Sequence, residues 1–147
     1  MGTIILLLIA SFGLFTLFSR RFKYVSTNSQ EYYDSRLAEN SKKEPFIKVT
    51  DNEITCDFPS KNKQDKINWD EIDLIQVLTT DEGPYVCDVF IILQNTATKN
   101  GVAVPSDRLE TKLIVDRIIK FPDFDGKTWI EAMGSAENKW FTVWKKK

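Results

Sequence analysis

The chain has 147 residues, 42% hydrophobic and 28% charged, enough for one domain, alone or with an appendage. That composition excludes wholesale disorder, a collagen-like repeat and a polytopic membrane protein. Twenty Lys+Arg against 21 Asp+Glu leave no global basic field for nucleic acid. There is no histidine, which removes Ser-His-Asp and Cys-His nucleophile pairs, His-based acid–base catalysis and the usual zinc enzymes. Cys56 and Cys87 form no C-x-x-C, so a thioredoxin-type site and a Cys-only zinc site are excluded. They read as two small hydrophobes on strands; in an oxidising compartment a single disulfide is the alternative.

Residues 1–23 read as an uncleaved single-pass anchor. No charge interrupts residues 3–18, which are dominated by Ile, Leu and Phe. As a helix that run spans about 24 Å, slightly short of a ~30 Å hydrocarbon core, and Phe22 and Tyr24 extend it into the interface. A cleaved signal peptide wants a basic start and small residues at the cut; here Arg20, Arg21 and Lys23 follow the apolar run instead. That cluster predicts a cytoplasmic C-terminal domain, and for a bacterial chain places the protein in the inner membrane.

Residues 24–45 are polar and read as a tether, with residues 30–40 able to form a short helix that lacks an apolar stripe. From residue 46 the pattern changes to short strands with turn punctuation. A first strand at Phe46–Val49 and a turn at Asp51 and Asn52 lead into Glu53–Phe58, where Ile54, Cys56 and Phe58 share one face. A polar loop covers residues 59–65, and Ile67 and Trp69 point inward from a third strand. A fourth follows Asp70 and Glu71 over residues 72–78. Residues 85–94 are apolar on both faces and read as the central strand. A sixth covers residues 101–104. Asp107-x-x-Glu110 reads as a capping box, opening a helix with Leu109, Leu113, Ile114, Ile118 and Ile119 at helical spacing. Thr128-x-x-Glu131 opens a shorter one, and Trp140, Thr142 and Trp144 alternate in a closing strand. The fold class is therefore α+β: a small antiparallel sandwich or partly open barrel over residues 46–147, with Leu113, Ile114 and Ile118 packed on it.

This order, with the step Trp69-Asp70-Glu71-Ile72, resembles the bacterial pleckstrin-homology-like domains. More narrowly, several segments resemble a group of small uncharacterised bacterial membrane-anchored proteins: Val49-Thr50-Asp51 with Ile54-Thr55-Cys56; Thr79-Thr80-Asp81-Glu82-Gly83-Pro84; Asp88-Val89-Phe90; Phe121-Pro122-Asp123-Phe124-Asp125; and Glu131-Ala132-Met133 with Glu137-Asn138. The likeness covers residues 46–144. It implies a β-sandwich or open barrel closed by the amphipathic helix, with the short helix and last strand as additions. Lipid-binding members carry basic residues around the first hairpin; this one has Asp51, Asn52 and Glu53 there, so phosphoinositide binding does not carry over.

No catalytic, cofactor or metal constellation assembles. Asp70 and Glu71 read as turn and edge residues in water rather than a hydrolase pair. Asp123-Phe124-Asp125-Gly126 lacks the EF-hand spacing and reads as a helix cap and turn. Among Trp129, Trp140, Phe141 and Trp144, most read as core with one or two half-exposed rings, and an exposed Trp would mark a partner surface. Residues 24–144 hold 14 basic and 21 acidic residues, a net of −7, which suits a basic protein partner. Six acids and no base lie between Asp70 and Asp88. Asp70, Glu71, Asp73, Asp81, Glu82 and Trp140 are the expected contact residues. The expected function is a non-enzymatic, membrane-anchored protein-binding module, most concretely an immunity protein that inhibits a toxin delivered between bacteria. The alternative is a membrane-maintenance or signalling accessory, and a toxin gene next door would separate the two.

Overall fold

The computed structural model describes residue 26, residues 29–82 and residues 87–147. The apolar run and basic cluster read as an anchor lie outside them, as do residues 83–86, which include the expected start of the central strand. Among the described residues no helix is long and apolar enough to cross a membrane. The chain divides into two compact units, residues 1–34 and residues 35–147. In the first, Gln30 Nε2 donates to Asp34 Oδ1 at 2.8 Å, and the rings of Tyr32 and Tyr33 meet edge-on at 6.0 Å.

The second unit is α+β, with two antiparallel sheets. Helix α1 covers Gln30–Asn40. Strands β1 (Phe46–Val49), β2 (Glu53–Phe58) and β3 (Lys63–Asn68) make one sheet in the order β1-β2-β3. Strands β4 (Leu74–Thr79), β5 (Val89–Asn95), β6 (Asn100–Pro105) and β7 (Lys139–Lys145) make the other, in the order β6-β5-β4-β7. Helices α2 (Leu109–Ile118) and α3 (Gly126–Met133) fall between β6 and β7. β5 is central, as its two apolar faces imply. The sheets meet where β6 runs beside β3 and Asn100 Nδ2 donates to Lys66 O at 2.9 Å; they do not close into a barrel.

Period-2 alternation builds the core. Ile54 and Cys56 of β2, Ile67 of β3, Ile75 and Val77 of β4, Val89, Ile91 and Leu93 of β5, and Val102 and Val104 of β6 all turn inward and are buried. Each fully buried Ile or Leu contributes about 1.5–3 kcal/mol. The Trp69-Asp70-Glu71 step is one 3-10 turn. Its buried Trp69 donates Nε1–H to Thr50 O at 2.9 Å and carries the Arg117 guanidinium 4.2 Å from its ring. Arg117 also donates to Asp51 O at 3.0 Å. One tryptophan thus ties the first hairpin, the crossing between sheets and α2 together.

Several local expectations are corrected. β3 starts at Lys63, inside the expected loop, because Asn62 takes a left-handed turn (φ 46°) and lets Lys63, Gln64 and Asp65 pair with Phe58, Asp57 and Cys56. Leu113 does not pack on the sheets: it is 58% exposed, while Ile114 and Ile118 are fully buried. At 100° per residue, Leu113 points about 130° away from the centre of the face formed by Thr111, Ile114 and Ile118, so one helix cannot bury both sets. Leu109 and Ile119 are exposed as well. The Asp107 capping box does not form. Arg108 holds the cap position without a side-chain cap, and the Asp107 carboxylate instead accepts from Asn40 Nδ2 at 2.8 Å. The Thr128 box does not form either. Asp125 caps α3, its carboxylate accepting from Thr128 N at 2.9 Å and Thr128 Oγ1 at 2.7 Å, and Glu131 pairs with Lys139 at 3.3 Å. Cap and turn is thus the structure of the segment around Asp125.

Residues 30–40 are helical, and from Asn40 onward the expected tether is fastened to the second unit. Besides the Asn40–Asp107 bond, Arg108 Nη2 donates to Glu44 O at 2.8 Å. The Glu44 carboxylate accepts from Ser60 N at 2.8 Å and from Ser60 Oγ.

Three carboxylates share this clasping role. Ser60 holds Glu44, Thr96 holds Asp73 and Thr128 holds Asp125 below their ordinary values, chiefly through the hydrogen bonds they donate. A carboxylate lowered by folding stabilises the fold above its unfolded pKa and loses that contribution as pH falls through its folded one. Urea midpoints should therefore fall with pH below about 4, and Asp73→Asn should flatten that dependence. An unchanged acid limb in Asp73→Asn would rule out the Thr96 clasp as a contributor.

The cysteines are free. Cys56 is fully buried on β2, and burial, with Asp65 adding to it, pushes its thiol up to about 12. Cys87 is half-buried and donates Sγ–H to Val89 O at 3.2 Å. Since the thiolate is the nucleophile, an alkylating reagent at pH 8 should label Cys87 alone until denaturant is added. Equal labelling rates at both positions would contradict the burial of Cys56.

Candidate functional site

The four-stranded sheet turns one face to the core and keeps half-buried apolar side chains on the other. Leu74, Gln76 and Leu78 of β4 alternate with the buried Ile75, Val77 and Thr79, and Phe90, Ile92 and Gln94 of β5 alternate with the buried Val89, Ile91 and Leu93. Among the described residues, none of Leu74, Leu78, Phe90 and Ile92 belongs to the core cluster or packs against it. The register sets them in rows across the strands. Trp140, Leu78, Phe90 and Pro105 are successive partners on β7, β4, β5 and β6, and the next row is Thr142, Gln76, Ile92 and Ala103. Trp140 is 55% exposed.

A polar chain crosses the same face beside the apolar row. Gln94 Nε2 donates to Gln76 Oε1 at 3.1 Å, and Gln76 Nε2 donates to Thr142 Oγ1 at 3.1 Å. On the β6 side the face sinks into a hollow of about 260 Å³ whose lining includes Asp65, Ile92, Gln94, Lys99, Gly101 and Ala103. Gly101 is required there: a Cβ would lie 2.7 Å from Leu93 O and 2.9 Å from the Gln94 Cβ.

The expected contact residues separate into two groups. Asp81, Glu82 and Trp140 come together at one end of the face. Trp140 pairs with Leu78, Asp81 N donates to Asn138 Oδ1 at 3.3 Å, and Thr80 N donates to Asp88 O at 2.7 Å, which brings Asp88 to the same end. Asp81 and Glu82 are exposed, Asp88 is half-buried, and Lys139 at that end is already paired with Glu131. Asp70, Glu71 and Asp73 lie at the other end of β4, about 20 Å away at ~3.3 Å per residue. Asp73 is a clasp: its carboxylate accepts from Thr96 N at 2.9 Å and Thr96 Oγ1 at 2.7 Å. Asp70 and Glu71 are exposed and help line a shallow cleft of about 380 Å³ with Asp51, Asn52, Asn68 and Trp69. Among the described residues, no group of His, Cys, Asp or Glu is placed to hold a metal ion.

The other expected aromatics are mostly core. Phe141 and Trp144 are buried, with Trp144 donating Nε1–H to Pro122 O at 2.8 Å, and Trp129 is partly buried against the core. Leu78, Phe90 and Ile92 were absent from the expected site. Their signal in the sequence is the two-faced apolar pattern of β4 and β5, which marks a central strand without saying what covers its second face. No protein-family model, curated protein or solved structure matches this chain.

Proposed function

We propose that this chain is a non-enzymatic protein-binding module, held at a bacterial inner membrane by its N-terminal apolar segment with its C-terminal domain on the cytoplasmic side. Its most concrete form is an immunity protein that neutralises a toxin delivered between bacteria. The observation that carries the reading is the row Trp140-Leu78-Phe90 on the sheet face turned away from the core, bounded at one end by Asp81, Glu82 and Asp88. A half-buried apolar row that ends in an exposed tryptophan is the kind of surface in which a few residues dominate binding. The neighbouring acids steer encounter with a basic partner and choose its orientation.

The test is a pull-down from native membranes with the full chain and three variants. The wild type and Leu113→Ser should retain the same protein. Trp140→Ala should weaken retention at least tenfold, as for an interface hot spot, and Asp81→Lys with Glu82→Lys should slow association and blunt its salt dependence. Stoichiometric recovery of a small metabolite or lipid with no protein would overturn the reading. A partner belonging to envelope machinery would favour the accessory role over immunity.

A further inference from the structure

We infer that the occupant of the outer sheet face is an amphipathic helix of the partner protein, laid across the strands, with its basic flank turned to Asp81, Glu82 and Asp88. This rests on the reading of the chain as a protein-binding module and names what that module holds. Three observations carry it. The first is access. Addition of a strand at β7 is obstructed because Val143 O already accepts from Asp125 N at 2.8 Å and α3 packs on β7 and β4. The opposite edge, β6, runs beside β3. A partner must therefore come onto the face.

The second is spacing. In the row Trp140, Leu78, Phe90, three neighbouring strands each contribute one apolar side chain, exposed at Trp140 and half-buried at Leu78 and Phe90, while Pro105, next in register on β6, is buried; the members repeat at about 4.8 Å. A helix has a pitch of ~5.4 Å and places its i, i+3/i+4 and i+7 side chains in a stripe. Laid across the strands, successive turns of that stripe fall over successive members of the row. An extended segment repeats on one face every ~6.6 Å and drifts out of step.

The third is charge and area. The acids lie beyond the row on one side only; on the other side lie Gln76, Thr142 and Ile92. The complementary helix is therefore asymmetric, with Lys or Arg along one flank and neutral polar residues along the other. The face measures about 15 by 20 Å, roughly 300 Å², well below the ~800 Å² per partner of a stable interface. A second copy meeting it face to face gains too little. A helix that continues over the acidic rim adds charged contacts and area together.

The probes are three synthetic peptides: a helix with a Leu stripe and Lys along one flank, the same helix with Glu for Lys, and a proline-interrupted version of the Lys peptide. The full chain, in discs of zwitterionic lipid, carries a photo-crosslinking residue at position 78 or 92, or at position 55 on the other sheet as a control. The Lys helix should be captured from positions 78 and 92 at least tenfold more than the Glu helix, and not from position 55. Capture should drop at least tenfold in Asp81→Lys with Glu82→Lys. Equal capture of the Lys and Glu helices, or of the proline-interrupted peptide, overturns the inference. So does concentration-dependent self-association abolished by Leu78→Glu, which would make a second copy the occupant. If no peptide is captured while the pull-down still depends on Trp140, the helix fails and the module stands. If the pull-down is also indifferent to Trp140, both fail.

Discussion

Ile114→Asp should unfold the domain, whereas Leu113→Asp, one residue away, should leave its melting curve nearly unchanged. Ile114 is fully buried in the common core of the two sheets and α2, and Leu113 is 58% exposed. Truncating a buried Ile to Ala costs about 2–5 kcal/mol. A carboxylate at the same place adds the penalty of an unpaired buried charge, which is comparable to the whole ~5–15 kcal/mol stability of a typical domain. A surface substitution stays within about 0.5 kcal/mol. Circular dichroism melts of the two variants decide the matter. A loss of structure in Leu113→Asp, or none in Ile114→Asp, would place the wrong face of α2 against the sheets.

The contrast between these neighbours shows what the sequence makes legible and what it hides. Every strand was visible because alternation and turn residues are local signals: Ile54 and Cys56 turn inward as the pattern requires, and Asp51 and Asn52 mark the first turn. The existence of α2 was equally visible. Its rotation was not, because five apolar residues spread around the helix fit more than one face, and the sheets choose among them through Ile114 and Ile118. Caps failed for a related reason. Asp107 has the right spacing for a box, but Asn40, 67 residues away, takes its carboxylate. The acids flanking β4 divide in the same way. Their number was readable, but whether Asp73 meets a partner or a loop depends on Thr96, which the fold brings to it across the β4–β5 pair. The outer face was half visible: residues 85–94 announced apolar residues on both sides of β5, and only the register that lines Trp140 up with Leu78 and Phe90 joins them to β4 in one surface.

The second large effect is expected at the start of α2. Asp107→Ala should destabilise the domain by about 3 kcal/mol or more, while Arg108→Met should cost much less. Arg108 is only 7% exposed. One of its nitrogens donates to Glu44 O, Nε lies 3.7 Å from Asp107 Oδ1, and Nε and Nη1 make no hydrogen bond among the described residues. A guanidinium cannot shed its proton to escape burial, and it sits at a helix N-terminus, where the backbone dipole already disfavours positive charge. Among the described residues, the Asp107 carboxylate is the negative charge paired with it, and it offsets both. Removing that carboxylate leaves a buried, uncompensated charge, the change that typically costs about 3–5 kcal/mol. Removing the arginine has a different consequence. Asp107 is 31% exposed, keeps the Asn40 donor and stands at the favourable end of the helix dipole, while Met fills the stem's volume with apolar atoms. The main loss is then the one hydrogen bond to Glu44 O, about 1.5–3 kcal/mol for a charged donor, offset in part because Met no longer buries a charge. Denaturant midpoints should therefore rank wild type and Arg108→Met close together, with Asp107→Ala well below. The double variant Asp107→Ala/Arg108→Met should recover most of the loss. If the double variant is no more stable than Asp107→Ala alone, the penalty comes from the lost Asn40 bond and not from the stranded charge.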